Sequence, residues 1–401
     1  MKLVPFLPEY LRAGEALPFG LRDASGRLLL AAGHCMTNKD RLEDLRSEGL
    51  FADEGESAQW YRRLAAAVDE RFRLGDSLGQ VAQARPDTAA REAATARPLT
   101  LPEEWAEILS RLDAVLRDLR PDGDWRARLL ALHLRARQLA EKRTDASLYH
   151  LLYEAAHSTQ KHSSQLALLC LVICEQAAAL LKWRPDWIDS LGRAALLMNV
   201  SALRLLDQLA ITERPPTPEM RATLDAHPAR SAQLLQECGF VDPLCLEVVA
   251  RHHDADKGDA TLDQLSPALQ LVRLLRRVDN FVSLISLRAS RPAGSAAHAA
   301  REACLSTSGM PDEVGGALLR AVGLYPPGSF VEMASGEIGI VVARGRRANL
   351  PHAAALLSAS GNLIAEPLLR DTMDRRHAVK AAVLPGAVKL VPPHARLLAL
   401  R

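Results

Sequence analysis

The chain has 401 residues, 48% apolar and 24% charged, with a formal net charge of +2. At ~150 residues per domain, that length is enough for two or three domains with sizeable cores. The composition excludes a collagen-like chain, a disordered tail protein and a disulfide-stapled miniprotein. It gives no whole-chain basic footprint for nucleic acid, and aromatics at 4% leave no stacking platform for single strands. The unbroken apolar run at 166–174 is far short of the ~20 residues that span a bilayer. Pro8 and Glu9 interrupt the start before a signal-peptide core can form. The reading is a cytoplasmic protein with no membrane and no nucleic-acid partner. The six cysteines, Cys35, Cys170, Cys174, Cys238, Cys245 and Cys304, include no Cys-x-x-Cys and read as buried reduced thiols.

In chain order, residues 1–56 read as a small hairpin-plus-helix module. Asp23 to Gly26 is a turn between apolar runs. Thr37 and Asn38 are caps for a short helix carrying Leu42 and Leu45, which Gly49 stops. Residues 57–145 are a helical linker region. Within it, 80–97 has no apolar period and reads as flexible, while 101–119 and 125–139 are amphipathic helices.

Residues 146–322 form the core. Leu148, Leu151, Leu152, Ala155, Thr159, His162, Leu166, Leu169 and Ile173 step by three and four, which predicts one face of a single long helix. Helices follow at 187–209, after the Thr217 cap, at 243–253 and at 265–286, and no segment alternates like a strand. Residues 323–401 read as a small β module with strands on either side of Ser335-Gly336. The fold class is mainly α: a helical bundle flanked by a small N-terminal α/β module and a small C-terminal β module. No repeat and no Walker-type or Rossmann glycine loop occurs.

Within the helical region, His162, His227, the pair His252-His253 and Asp279 lie in or beside core helices. Singly, each is a hydrogen-bonded core residue. Together, imidazoles and a carboxylate converging from several helices can hold a divalent metal.

Their order resembles the HD-GYP family, helical metal-dependent phosphohydrolases that cleave cyclic di-GMP in bacteria. The resemblance covers about 146–342, close to half the chain. His162-Ser163 is similar to the family's first-helix His-Ser, and Ala194-Ala195-Leu196-Leu197 to the run before its His-Asp pair. Thr217-Pro218-Glu219 stands ten residues before His227-Pro228, as the family's Leu-Thr-x-x-Glu leads into its His-Pro. Val248 to Asp254 resembles Val-x-x-His-His-Glu, and Val278-Asp279-Asn280-Phe281 resembles Ala-Asp-x-Phe. Ser286 to Arg291 resembles Ser-x-Arg-x-x-Arg, and Gly323 to Val331 the stretch that closes the domain. Residues 23–50 resemble the small module often placed before it.

The resemblance implies an HD-domain helical bundle, and the departures bear on chemistry. Met198-Asn199 stands where the family has His-Asp, whose Asp bridges two metal ions. A neutral amide cannot offset two divalent charges, and a thioether suits iron, manganese or magnesium poorly. Ala202 replaces the family's Lys. The Gly-Tyr-Pro loop is absent, since His253 is followed by Asp254-Ala255-Asp256-Lys257-Gly258-Asp259-Ala260.

The expectation is a signalling protein without catalysis, a regulatory or binding module for a protein partner or for cyclic di-GMP. Its cofactor is none, or a single divalent ion (Fe, Mn or Zn) on a subset of His162, His227, His252, His253 and Asp279. The alternative is a metal-dependent phosphohydrolase, a cyclic di-GMP phosphodiesterase with an atypical metal site. Arg288 and Arg291 are candidate phosphate donors, with a rival basic patch at 344–347.

Overall fold

The computed structural model describes residues 3–7, 11, 17, 19–34, 49–73, 99–254, 260–306 and 309–400. The capped helix expected at 37–48, the linker at 80–97, Cys35 and most of the loop after Asp254 lie outside the described residues. The chain divides into two compact units, Met1–Ser110 and Arg111–Arg401.

In the first unit, β1 (Leu3–Phe6), β2 (Leu21–Arg22), β3 (Leu28–Leu30) and β4 (Leu50–Asp53) form an antiparallel sheet of order β1-β4-β2-β3. The turn between β2 and β3 is closed by Asp23, whose carboxylate accepts from the Ser25 and Arg27 backbone N–H groups at 2.9 and 3.0 Å. The next helix, α1 (Glu54–Arg73), supplies Trp60, which packs edge-on against Phe6 and Phe19.

α2 (Leu101–Arg117) runs across the boundary between the units. The second unit continues with α3 (Trp125–Lys142), α4 (Thr144–His157), α5 (His162–Leu180), α6 (Pro185–Leu197), α7 (Leu203–Ala210), α8 (Pro218–Glu237), α9 (Pro243–Arg251), α10 (Pro267–Ile285), α11 (Ala296–Cys304) and α12 (Glu313–Val322). β5 (Phe330–Met333), β6 (Ile338–Ala343), β7 (His352–Leu357), β8 (Leu363–Asp371) and β9 (Val379–Val383) build an antiparallel sheet of order β8-β7-β6-β5-β9, and α13 (His394–Leu398) closes the described chain. The protein is mainly α, with a small sheet toward each end.

Two helices expected to be continuous are broken. The apolar stripe from Leu148 to Ile173 runs over α4 and α5, separated at 158–161. Ser158 is extended there and Lys161 is left-handed at φ 48°. The periodicity survives because both helices face one core. The break puts His162 at the first turn of α5, where the Asp207 carboxylate accepts from Ser163 N–H and Oγ–H, both at 2.8 Å. The expected 187–209 helix likewise stops at Leu197 and resumes at Leu203 after a turn through Met198 and Asn199.

α5 extends well beyond the nine-residue apolar run, and by length and composition it could cross a bilayer. Most of that window is buried inside the fold, where α6, α10 and α12 pack on it. An all-round apolar helix is what the centre of a bundle requires. The C-terminal sheet is apolar on both faces. Phe330, Ile340 and Val342 pack with Tyr149 and Tyr153 of α4, and Val331, Met333 and Val341 with Ala297 of α11.

Candidate metal centre

Three histidines converge. His227 lies within α8, and His252 and His253 follow the end of α9. One ligand-capable nitrogen from each lies within 4.8 Å of the other two. Local sequence explains the aim of each ring. Pro228 has no N–H, so the carbonyl of Leu224 lacks its i+4 donor. The His227 Nδ1–H donates to that carbonyl instead, at 2.5 Å. At the end of α9 the carbonyl of Val249 has no helical donor either, and His252 Nδ1–H donates to it at 2.7 Å. Both tautomers are thereby fixed with the Nε2 lone pair pointing inward, the arrangement that prepares an imidazole for a metal.

The two Nε2 atoms stand 3.2 Å apart. Two lone pairs at that distance repel unless a cation sits beside them or one ring is protonated. Burial opposes protonation. It holds His227 below its ordinary pKa and takes His252 down to about 4, with His253 adding to both. His253 faces solvent on one side and carries the centre toward α10, where its Nε2 lies 3.8 Å from Asp279 Oδ2. The three imidazoles could hold a single Zn²⁺ with one position left open, while Asp279 meets the group only through His253 and, like His162, is not among the mutually close ligand atoms.

The remaining sequence candidates are placed differently. His162 is buried and among the described residues its Nε2 has no hydrogen-bond partner, but it is not part of the three-histidine group. Burial, reinforced by Arg288, lowers its pKa to about 4, against a smaller pull from Asp207. Met198 is wholly enclosed and Asn199 is 8% exposed. Their turn is tied to α8 beside the centre, because Ser201 Oγ–H donates to the His227 carbonyl at 3.1 Å and meets Ser231 Oγ at 2.9 Å.

The two arginine candidates fold back on the end of α10. Arg288 Nη2 donates to Ser283 Oγ at 3.0 Å, and Arg291 donates to the carbonyls of Ser283 and Leu284. In the rival patch, Arg344 is committed to structure: it donates to Asp145 at 2.6 Å and to the Ala321 carbonyl at 2.8 Å. Arg346 and Arg347 remain exposed.

Sequence reading passed over two polar groups near these helices. His133 Nε2 meets Glu175 Oε1 at 2.6 Å, and Arg137 holds both oxygens of the same carboxylate at 3.0 and 2.6 Å. Asp113 accepts from Ser164 at 2.8 Å and pairs with Arg117, which also reaches Asp207. No local motif marks either group, because partners such as Arg117 and Asp207 are 90 residues apart.

No family model matches the chain. The chain is similar to a protein of Pseudomonas aeruginosa named as a cyclic di-GMP phosphodiesterase, at 26% identity over 206 residues, 50% of this chain and 48% of that protein. It therefore spans about half the length of that curated relative. A solved structure, a HDG"Y"P protein from Bdellovibrio bacteriovorus, aligns at 15% identity with a TM-score of 0.44, covering 79% of this chain and 98% of that one.

Proposed function

We propose that the chain is a degenerate HD-GYP-type signalling protein of the cytoplasm. In this reading it holds one divalent ion on His227, His252 and His253, with Asp279 beside His253, and acts as a regulatory or binding module. Its partner is a protein or cyclic di-GMP, and it does not hydrolyse the dinucleotide. The observation that carries the reading is the pair of Nε2 lone pairs 3.2 Å apart, with both Nδ1–H groups already spent on carbonyls. This geometry favours a cation in a core that disfavours protons.

Loss of hydrolysis follows from charge. Asn199 brings no anion to offset a second ion, and His162 stands apart from the three-histidine group. A two-metal site that activates water between its ions lacks its bridging ligand here. Similarity to a named cyclic di-GMP phosphodiesterase supports a link to that dinucleotide, and the burial of α5 within the bundle speaks against that helix crossing a membrane. The same similarity favours the second reading, a metal-dependent cyclic di-GMP phosphodiesterase with an atypical metal site.

Turnover separates the two. Purified protein given Mn²⁺, Fe²⁺ or Zn²⁺ is expected to linearise cyclic di-GMP no faster than the metal-only blank. The double change Met198→His and Asn199→Asp is not expected to restore activity, because Ala202 and the absent Gly-Tyr-Pro loop also count. Metal-dependent product formation that disappears in Asp279→Ala would establish the phosphodiesterase instead.

A further inference from the structure

The C-terminal sheet and its loops carry an excess of positive charge. Residues 323–400 hold nine Lys and Arg against five Asp and Glu, while the whole chain holds 50 against 48. One of the nine, Arg344, is neutralised from outside by Asp145. Three more are matched within the module. Arg370 grips Glu337 at 2.7 and 3.2 Å, Lys380 meets Glu332 at 2.6 Å, and Arg376 pairs with Asp374. Arg346, Arg347 and Arg375 are exposed, and among the described residues none of them has an ion pair.

These three arginines belong to one end of the sheet. Arg346 and Arg347 stand in the turn between β6 and β7. Arg375 follows β8, whose last residue, Asp371, is in register with His352 at the start of β7. Thr372 then donates to the Pro351 carbonyl at 2.6 Å, which fastens the chain after β8 to the turn before β7. Asp371 is the one acid at this end without an ion pair among the described residues, and Glu366 lies five residues back along β8, beyond Pro367. Three guanidiniums therefore face one carboxylate. Beside them Leu368, Leu369 and Met373 are 47%, 41% and 57% exposed. β8 is an edge strand, so alternate N–H and C=O groups of 368–371 have no strand to pair with. Pro367 and the bulge before Leu368 confine this free edge to four residues.

We propose that this end of the sheet docks an extended acidic segment of a partner protein. Its carboxylates would meet Arg346, Arg347 and Arg375, its apolar side chains Leu368, Leu369 and Met373, and its backbone the edge at 368–371. Guanidinium forks match carboxylates, and an added strand uses the free backbone groups. A lipid headgroup leaves those groups unused. A nucleobase stacks on a ring, whereas the exposed apolar side chains here are aliphatic. The docking rests on the regulatory reading above, whose protein partner it defines, and needs no ion at the histidines.

Fluorescence anisotropy of a labelled peptide of alternating Asp and Val, titrated with the full chain, tests this against a Lys and Val counterpart. The acidic peptide is expected to saturate below ~1 mM and the basic one to bind at least tenfold more weakly. Arg346→Glu with Arg347→Glu, and separately Arg375→Glu, are each expected to weaken the acidic peptide at least tenfold while keeping the wild-type melting profile. Hydrogen exchange is expected to slow at 368–373 on binding and to stay unchanged around His227 and His252. His252→Ala is expected to leave peptide binding unchanged, and cyclic di-GMP turnover measured on the same samples shows separately whether the regulatory reading fails. The proposal is overturned by no saturable binding of the acidic peptide, by equal binding of both peptides, by binding indifferent to the charge reversals, or by protection confined to other segments. Binding of phosphatidylserine vesicles or cyclic di-GMP that the same reversals abolish, in place of the peptide, would also overturn it.

Discussion

Pro228 aims His227. A proline inside α8 removes one backbone donor, and the carbonyl so released fixes the imidazole tautomer. Pro228→Ala returns an N–H to the Leu224 carbonyl, which then competes with His227 Nδ1–H. Outer-shell partners of this kind are typically worth 10–100-fold in metal affinity. Chelator competition with Zn²⁺ is expected to show a loss in that range for Pro228→Ala, with the helix content unchanged. An affinity equal to wild type would mean that the Leu224 contact does not orient the ring. The order of His227-Pro228 and His252-His253 in the sequence marks three histidines that the structure brings within 4.8 Å of one another. Their separation from His162 was not legible there. His162 lies on the same apolar stripe as the core leucines, and no periodicity tells that its nitrogen stands apart from the other three.

His162 also gives a pH dependence. Burial lowers its folded-state pKa to about 4, below the ~6.5 of an unfolded histidine. The unfolded chain therefore binds the proton first as the pH drops. The stability His162 contributes is fully present above ~6.5 and is lost as the pH falls through about 4. In chelator, the melting temperature of His162→Gln is expected to fall less between pH 7 and pH 4.5 than that of the wild type. Parallel pH profiles would show that the imidazole is not held neutral.

At the scale of elements, α3, α5 and α6 meet at a buried charge network that tolerates no added atom. Gly192 of α6 lies so close that a Cβ there would stand 2.4 Å from Glu175 Oε1 and 2.6 Å from His133 Nε2. Gly192→Ala must push apart a carboxylate, an imidazole and the Arg137 guanidinium, leaving buried charge incompletely paired. A cost of about 2–4 kcal/mol is expected from denaturant unfolding. A change under about 0.5 kcal/mol would mean that the helices part without strain.

Helix existence was readable here, but helix continuity was not. Neither 158–161 nor 198–202 contains Gly or Pro, so the sequence offers no local stop signal. The interruptions arise from tertiary demands instead. The N-terminus of α5 is held by Asp207, and the turn before α7 is held by Ser201 against α8.

In the whole molecule, charge pairs join the bundle of the second unit to its sheet. Arg344, at the end of β6, reaches Asp145 of α4 and the last turn of α12. The sequence showed it only as part of a basic run. The strands around Ser335-Gly336 were legible as a hairpin, whereas β9, poor in strand signals, was not. The helical core was legible because its apolar stripes are dictated by burial whether or not the centre still works. The same indifference explains why the stripes do not report chemistry, which rests on single positions such as Asn199.

Metal content decides the account. Protein loaded with Zn²⁺, desalted and analysed by mass spectrometry of the metal is predicted to carry one ion per chain in the wild type and in His162→Ala, and essentially none in His252→Ala. Two ions per chain, none retained by the wild type, or loss of the ion on His162→Ala would contradict a single-ion centre built on His227, His252 and His253.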